Sequence, residues 1–132
     1  MNIGQLSRQT RIPADTIRYY ERERVLPVPR RAANGYREYG PADARRLEFI
    51  RRAKELGFGL EEIRGLLALS DARTGDMAAV RAAAREKLAL LQARIAELER
   101  VRDALRGLVE ACPGHGDLDG CPILSALAGE PQ

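Results

Sequence analysis

The sequence has few aromatic residues, few metal-ligating residues and no long apolar segment. Among its 132 residues are two cysteines, one histidine and no tryptophan, and aromatic side chains make up 5%. No base or oxyanion arrangement accompanies these residues, so we expect a protein that is not an enzyme. Neither an apolar run of about 18 residues nor a basic leader is visible, which predicts a cytoplasmic protein that does not engage a membrane. The length fits one small module.

Charge is distributed unevenly along the chain. The whole sequence carries a net charge of +3, but residues 1–56 carry +6 and residues 57–132 carry −3. A basic segment of this kind attracts polyanions, and nucleic acid is the first candidate. We therefore expect the amino-terminal part of the chain to bind nucleic acid.

Two short helices joined by a tight turn are predicted near the amino end. Residues 5–9 indicate the first helix and residues 14–23 the second. In the second helix, Tyr20 has the spacing of a packing residue, whereas Arg18 and Arg22 lie four residues apart on one exposed stripe. The pair is a candidate helix-turn-helix, whose second helix would read double-stranded DNA.

The following stretch, residues 25–39, predicts a β-ribbon wing. Its prolines prevent a helix, and Asn34-Gly35 between short flanks is a hairpin signal. Arg18 is expected to reach a base edge, while Tyr20 and the wing residues hold phosphates. Tyr19 either contacts DNA or packs in the core, and both interpretations stay open. The predicted DNA-binding residues are Thr16, Arg18, Tyr20, Arg30, Arg31, Asn34, Tyr36 and Arg37.

Two further helices complete the predicted DNA-binding domain, residues 1–70. The third begins at Pro41 and ends near Gly57, and the fourth spans Leu60 to Leu69, with apolar residues at three- and four-residue spacing. Residues 71–75 are predicted to be a polar linker.

Residues 76–111 contain no proline and a single glycine near the end, which predicts a long dimerisation helix of about 50 Å. An intrachain bundle is the alternative, but the chain has no second long helix to cover the apolar seam. We therefore predict a homodimer through an antiparallel coiled coil. The seam consists of Val80, Ala84, Leu88, Leu91, Ile95, Leu98, Val101, Leu105 and Leu108.

Residues 112–132 are predicted to form a metal-binding loop and a short helix. Cys112 follows the long helix, and Cys121 precedes a helix predicted over residues 122–128. A disulfide is disfavoured in the cytoplasm, and two isolated buried thiols are the other alternative. A helix amino terminus favours the thiolate form of Cys121, which is the form that binds metal. Apolar side chains of the loop are expected to shield the site: Leu118, Ile123 and Leu124.

The number of ligands bears on the identity of the metal. Two thiolates without an obvious third soft ligand suit a linear, two-coordinate ion such as Cu(I), Ag(I) or Au(I). His115 lies between the cysteines and would complete a Cys₂His set for Zn(II) or another divalent metal, although a loop histidine is more often solvent-facing. The residue spacing alone does not decide between the two-cysteine ligand set and the Cys₂His ligand set.

Several segments together resemble the MerR family of bacterial metal- and drug-responsive transcriptional regulators. The matching segments are residues 1–7, 16–21, 34–39 and 55–63. The cysteine loop, Cys-Pro-Gly followed by Cys-Pro-Ile-Leu, is similar to the copper-responsive, CueR-like branch. That resemblance implies that Cys112 and Cys121 hold one monovalent coinage-metal ion.

The resemblance also implies a mechanism. A homodimer would stay on its promoter with or without metal and, once loaded, would distort an overlong spacer so that RNA polymerase aligns with both promoter elements. Arg81 of the partner chain resembles, by its position, a cation that lies close to the cysteine loop in copper sensors. The alternative is that Arg81 is an ordinary solvated charge on the helix.

Three features depart from the family pattern. Arg24 stands where relatives usually have glycine after the recognition helix; a non-glycine residue in a left-handed cap costs about 1 kcal/mol, so we expect a local difference in this turn. Met77 stands where divalent-metal sensors have cysteine, which removes a third thiolate, although its thioether can approach a soft ion. The cysteine loop is one residue longer than in the usual copper sensor.

Two other regulators remain as alternatives. A sensor of organic ligands would need a lined pocket, but every aromatic residue lies before residue 59. A thiol redox sensor would use the same cysteines, and anaerobic metal titration compared with oxidant titration separates it from a metal sensor.

Overall fold

The computed structural model describes residues 1–73 and 77–130 and confirms a mainly helical fold with a small hairpin. Two compact units, Met1–Lys87 and Leu88–Gln132, divide the chain. The elements are α1 (Ile3–Thr10), α2 (Ala14–Arg22), β1 (Arg30–Arg31), β2 (Arg37–Glu38), α3 (Pro41–Glu55), α4 (Leu60–Ala72), α5 (Ala78–Ala111), a 3₁₀ turn (Leu118–Gly120) and α6 (Pro122–Leu127).

One hydrophobic core holds α1 to α4 together. Its fully buried members come from each of these helices and include Leu6, Ile17, Leu47 and Ile63. This burial supplies the main stabilisation of the lobe, because each such side chain contributes about 1.5–3 kcal/mol when removed from water. The apolar spacing therefore predicted the packing faces correctly.

The predicted helix-turn-helix is present. Asn2 begins α1 with a capping box, in which Gln5 N–H donates to the Asn2 Oδ1 at 2.8 Å and Asn2 N–H donates to the Gln5 Oε1 at 2.8 Å. The helix ends at Arg11, whose left-handed backbone (φ 60°) turns the chain. Pro13 then precedes α2, where its missing N–H costs no helical hydrogen bond.

The turn after α2 keeps a left-handed residue although no glycine is present. Arg24 has φ 61°, in the left-handed region that favours glycine. Arginines of α3 and α4 hold the two carbonyls beside it. Arg46 Nε donates to the Val25 carbonyl at 2.7 Å, and Arg64 Nη2 donates to the Glu23 carbonyl. These bonds offset the cost of the strained residue.

The wing is an antiparallel hairpin in which Arg30 pairs with Glu38 and Arg31 with Arg37. Gly35 has φ 84°, a conformation that glycine adopts without steric cost, as the Asn34-Gly35 signal predicted. The Asn34 side chain accepts a hydrogen bond from the Tyr36 amide at 3.1 Å. The loop is therefore ordered by its own residues.

The boundary after the fourth helix differs from the prediction. Helix α4 continues to Ala72 and ends at Arg73, which is left-handed with φ 52°, so the first residues of the predicted linker are helical. Residues 74–76, which include the rest of that linker and the predicted start of the long helix, lie outside the described residues. Helix α5 begins at Ala78.

Helix α5 buries none of its residues within the single chain. Near its start, the Lys87 ammonium lies 2.8 Å from the Glu62 carboxylate of α4 and 5.9 Å from the centre of the Phe58 ring. Glu62 also accepts a hydrogen bond from the Gly59 amide at 2.8 Å. The hydrogen bond from Lys87 lowers the pKa of Glu62, and that from Gly59 acts in the same direction. Among the described helices, none is long and apolar enough to span a membrane.

Candidate nucleic-acid interface and metal centre

Helix α2 presents one polar face to solvent. Arg18 is exposed and its guanidinium lies 3.2 Å from the Asp15 carboxylate, an exposed pair that is weak in water. Thr16 is half-buried beside it. Arg18 is therefore free to exchange its partner for a phosphate or a base edge.

The two tyrosines of α2 occupy different environments. Tyr20 is 4% exposed and belongs to the core, whereas Tyr19 is 41% exposed. The packing predicted for Tyr20 is confirmed, and its phosphate contact stays a prediction. Tyr19, for which core packing was the alternative, is the aromatic ring that α2 offers to solvent, with the Arg22 guanidinium 5.8 Å from its centre.

The wing residues lie beside this face of α2. A groove of about 670 Å³ is lined by Arg18 together with Asn34, Tyr36 and Arg37. The remaining predicted wing residues, Arg30 and Arg31, are exposed. The structure thus brings the polar face of α2 and the tip of the wing to one basic surface, as a phosphate backbone requires.

A buried carboxylate connects α2 to the wing. Glu21 is 6% exposed, its Oε2 lies 2.5 Å from Arg37 Nη1, and its Oε1 accepts a hydrogen bond from the Tyr39 hydroxyl at 2.5 Å. Burial raises the pKa of Tyr39 to about 12, and the hydrogen bond to Glu21 acts in the same direction. Arg37 was predicted as a DNA contact, and the structure gives it a partner within the protein.

Sequence reasoning missed this carboxylate, although a signal was present. Glu21 lies on the apolar side of α2, directly after Tyr20, where an unpaired charge would be costly. A charged residue at a core position implies a buried partner. Local spacing does not show that the partner comes from residues 37–39.

Together, these features define a winged helix-turn-helix protein. The second unit carries the thiols. Cys112 directly follows α5, and its amide donates to the Leu108 carbonyl at 3.1 Å. Cys121 is the N-cap of α6, and its carbonyl accepts from the Ser125 amide at 3.1 Å.

Both thiols are free and half-buried, so no disulfide joins them. The loop between them turns at Gly114 (φ 81°) and Gly116 (φ 106°), where a side chain would be strained. The two thiols, at the end of α5 and the start of α6, form a donor set whose chemistry suits a soft, two-coordinate ion.

The structure gathers no third ligand around the cysteines. In residues 1–73 and 77–130, no group of three or more His, Cys, Asp or Glu side chains is arranged to hold a metal, and His115 is exposed. Of the apolar residues expected to shield the site, Leu118 and Leu124 are exposed and Ile123 is half-buried. Their covering of the thiols stays a prediction.

Two supporting residues lie at the start of the long helix. Met77 precedes α5 and is 85% exposed, and Arg81, one turn later, is also exposed and donates its amide to the Met77 carbonyl at 2.9 Å. No ion pair involves Arg81 among the residues that the structure describes. Its guanidinium is therefore available to a partner.

Comparisons with known proteins give the family. A model described as MerR HTH family regulatory protein matches residues 1–70, and one described as MerR, DNA binding matches residues 44–108. The chain belongs to the MerR family. It is a DNA-binding transcription regulator and not an enzyme, as the sequence predicted.

Individual relatives match almost the whole chain. The transcriptional regulator HmrR of Rhizobium leguminosarum bv. viciae is 44% identical over 97% of this chain and 98% of its own. The regulator CueR of Yersinia pestis is 38% identical over 98% of this chain and 92% of its own. Among solved structures, the regulator PbrR691 of Ralstonia metallidurans CH34 in complex with lead(II) has a TM-score of 0.86 and 32% identity, covering 96% of this chain and 98% of that one.

Proposed function

We propose that this chain is a metal-responsive regulator that binds promoter DNA as a homodimer and activates transcription on binding Cu(I), Ag(I) or Au(I). The observation that carries the proposal is the pair of free, half-buried thiols of Cys112 and Cys121 at the ends of α5 and α6. Similarity to HmrR, CueR and the lead-bound PbrR691 supports a metal as the signal.

The charge of the site favours a monovalent ion. Two thiolates with a monovalent ion carry a net charge of −1, whereas with a divalent ion they carry none, so a buried site selects between them by the charge that it compensates. Arg81 is an exposed cation without an ion pair in the described part of the chain. We infer that it supplies this compensation across the dimer.

A divalent metal is the second candidate, because PbrR691 was solved with lead(II). That alternative needs a third ligand, either His115 or Met77. His115 is exposed and does not converge with the cysteines, and Met77 offers a thioether where a thiolate would be needed. We therefore favour the two-coordinate site.

The exposed seam of α5 supports the homodimer. Its apolar side chains lie in solvent in the single chain, and a second copy is the partner whose seam has the same spacing. Two copies would place two α2 helices on one duplex, as symmetric operators require.

The cysteine loop would provide the signal for activation. The thiolates of Cys112 and Cys121 would hold the ion. Cys112 and Cys121 would then hold the loop and α6 in one arrangement, which favours the distorted form of the bound promoter for RNA polymerase. Distorting 20–30 base pairs costs about 1–6 kcal/mol, a range that differential contacts in two states can supply.

The test is promoter transcription with Cu(I), Ag(I), Zn(II), Cd(II) and Pb(II) buffered separately, for wild type, Cys112→Ser and His115→Ala. We expect induction by monovalent ions only, its loss in Cys112→Ser with DNA affinity retained, and full induction in His115→Ala. Induction by a divalent ion that disappears in His115→Ala would contradict the assignment.

A further inference from the structure

The wing has almost no packing of its own. Each strand contains two residues, and all four are exposed. An isolated two-stranded hairpin is at best marginally stable in water. The direction in which the wing points must therefore be fixed by its attachment to the rest of the lobe.

One part of that attachment has two arms on one carboxylate, and we call Glu21, Arg37 and Tyr39 the wing tether. The Tyr39 backbone also exchanges hydrogen bonds with Met1, whose amino group donates to the Tyr39 carbonyl at 2.8 Å. Arg37 reaches Glu21 Oε2 at 2.5 Å, and the Tyr39 hydroxyl reaches Oε1 at 2.5 Å. Arg37 and Tyr39 are two residues apart, so an extended strand directs them to the same side. Because the two hydrogen bonds end on different oxygens of the Glu21 carboxylate, the second strand of the wing cannot rotate about either bond alone.

The carboxylate end of the tether lies in a dry environment, whereas the Arg37 side chain is 40% exposed. Glu21 and Tyr39 are both buried, and a buried carboxylate is tolerated only when it is paired and hydrogen-bonded. Releasing either arm would leave part of this carboxylate unpaired, which favours the one arrangement in which both arms are made.

We propose that Glu21 is a positioning residue for DNA binding, which sets the angle of the wing relative to the recognition helix. Arg18 of α2 lines the same groove as Asn34 and Tyr36 of the wing. These residues can engage one duplex together only when the two elements keep a fixed spacing, because phosphate contacts set the register of the base contacts. Glu21 is itself too buried to touch DNA.

The experiment uses the full-length dimer and a duplex that wild-type protein selects from a random-sequence pool. For Glu21→Gln we expect DNA affinity to fall by about tenfold or more, and the slope of log affinity against log salt to become shallower by roughly 0.9 for each lost phosphate contact. Ile50→Val, a core substitution in α3, is the control for lowered thermal stability without a change in the tether.

A double-mutant cycle separates positioning from general destabilisation. Arg31→Ala removes a cation near the wing tip. If Glu21 acts through the wing, Arg31→Ala will weaken binding in the wild-type background and have little further effect in Glu21→Gln. Should Glu21→Gln not fold, Tyr39→Phe, which releases one arm only, takes its place. The proposal would be overturned if the affinity losses of Arg31→Ala and Glu21→Gln multiply in the double variant. It would also be overturned if the salt slope of Glu21→Gln equals that of Ile50→Val.

Discussion

At the scale of single residues, the left-handed arginine after α2 shows how the surroundings decide a local conformation. Arg24 has φ 61°, although a side chain in this region costs about 1 kcal/mol or more. The carbonyls before and after it are held by Arg64 and Arg46. Local sequence predicts the cost, but only the tertiary contacts explain why the turn is kept.

Replacing Arg24 with glycine should therefore stabilise the protein. We expect the free energy of unfolding to rise by about 1 kcal/mol, since glycine adopts a positive φ without a clash. Denaturant unfolding of the purified dimer measures the change. Arg24→Ala keeps the Cβ and is the control, for which we expect no comparable gain. A gain of equal size in both variants would show that strain at φ is not the cause.

Tyr39 is a residue whose proton is held differently in the folded and unfolded chain. Burial raises its pKa from an ordinary value of 10.0 to about 12, with a contribution from the hydrogen bond to Glu21. The folded protein therefore holds the phenolic proton more tightly than the unfolded chain does. The resulting stabilisation is complete below about pH 10 and disappears as the pH rises through about 12.

The comparison of wild type with Tyr39→Phe tests this assignment. At neutral pH the variant should be less stable by about 1–3 kcal/mol, because Glu21 loses a donor. Chemical unfolding at increasing alkaline pH should show wild type losing about 2 kcal/mol more than Tyr39→Phe between pH 10 and pH 12. Tyr36→Phe, on the exposed wing, should follow wild type. Parallel curves for wild type and Tyr39→Phe would contradict the raised pKa.

At the scale of elements, the periodicity of apolar residues and the positions of proline and glycine predicted most of the fold. The helices, the hairpin at Asn34-Gly35 and the long α5 followed from apolar spacing, proline and glycine. The exposure of Tyr19 was left open, because an aromatic residue beside the packed Tyr20 fits either the core or the surface. The extension of α4 to Ala72 was missed because polar residues also occur in a final helical turn.

Helix α5 is the element with the largest unsatisfied apolar surface. Leu98, near its middle, is exposed in the single chain and belongs to the seam. A glutamate at this position would place two charges in a dimer core. We expect Leu98→Glu to sediment as a single chain at concentrations where wild type is a dimer.

The matched control is Ala96→Glu, which adds the same charge to the same helix outside the seam. It should remain a dimer, because position 96 is about 200° of helical rotation from position 98. Dissociation of both variants, or of neither, would contradict the assignment of the seam.

At the scale of the whole molecule, two compact units carry the two predicted activities. The unit Met1–Lys87 contains the winged helix-turn-helix, and the unit Leu88–Gln132 contains both cysteines. Sequence order alone separated them, since the basic residues and the cysteines are concentrated in different parts of the chain. The half-buried state of both thiols, by contrast, does not follow from sequence order, because burial depends on tertiary packing.

The most direct test of the account is anaerobic Cu(I) titration against a competing chelator, combined with X-ray absorption of the loaded protein. We predict one ion per chain with two sulfur ligands, no tight binding in Cys121→Ser, and unchanged binding in His115→Ala. Failure of reduced wild-type protein to retain Cu(I), or a three-coordinate ion that is lost in His115→Ala, would contradict it.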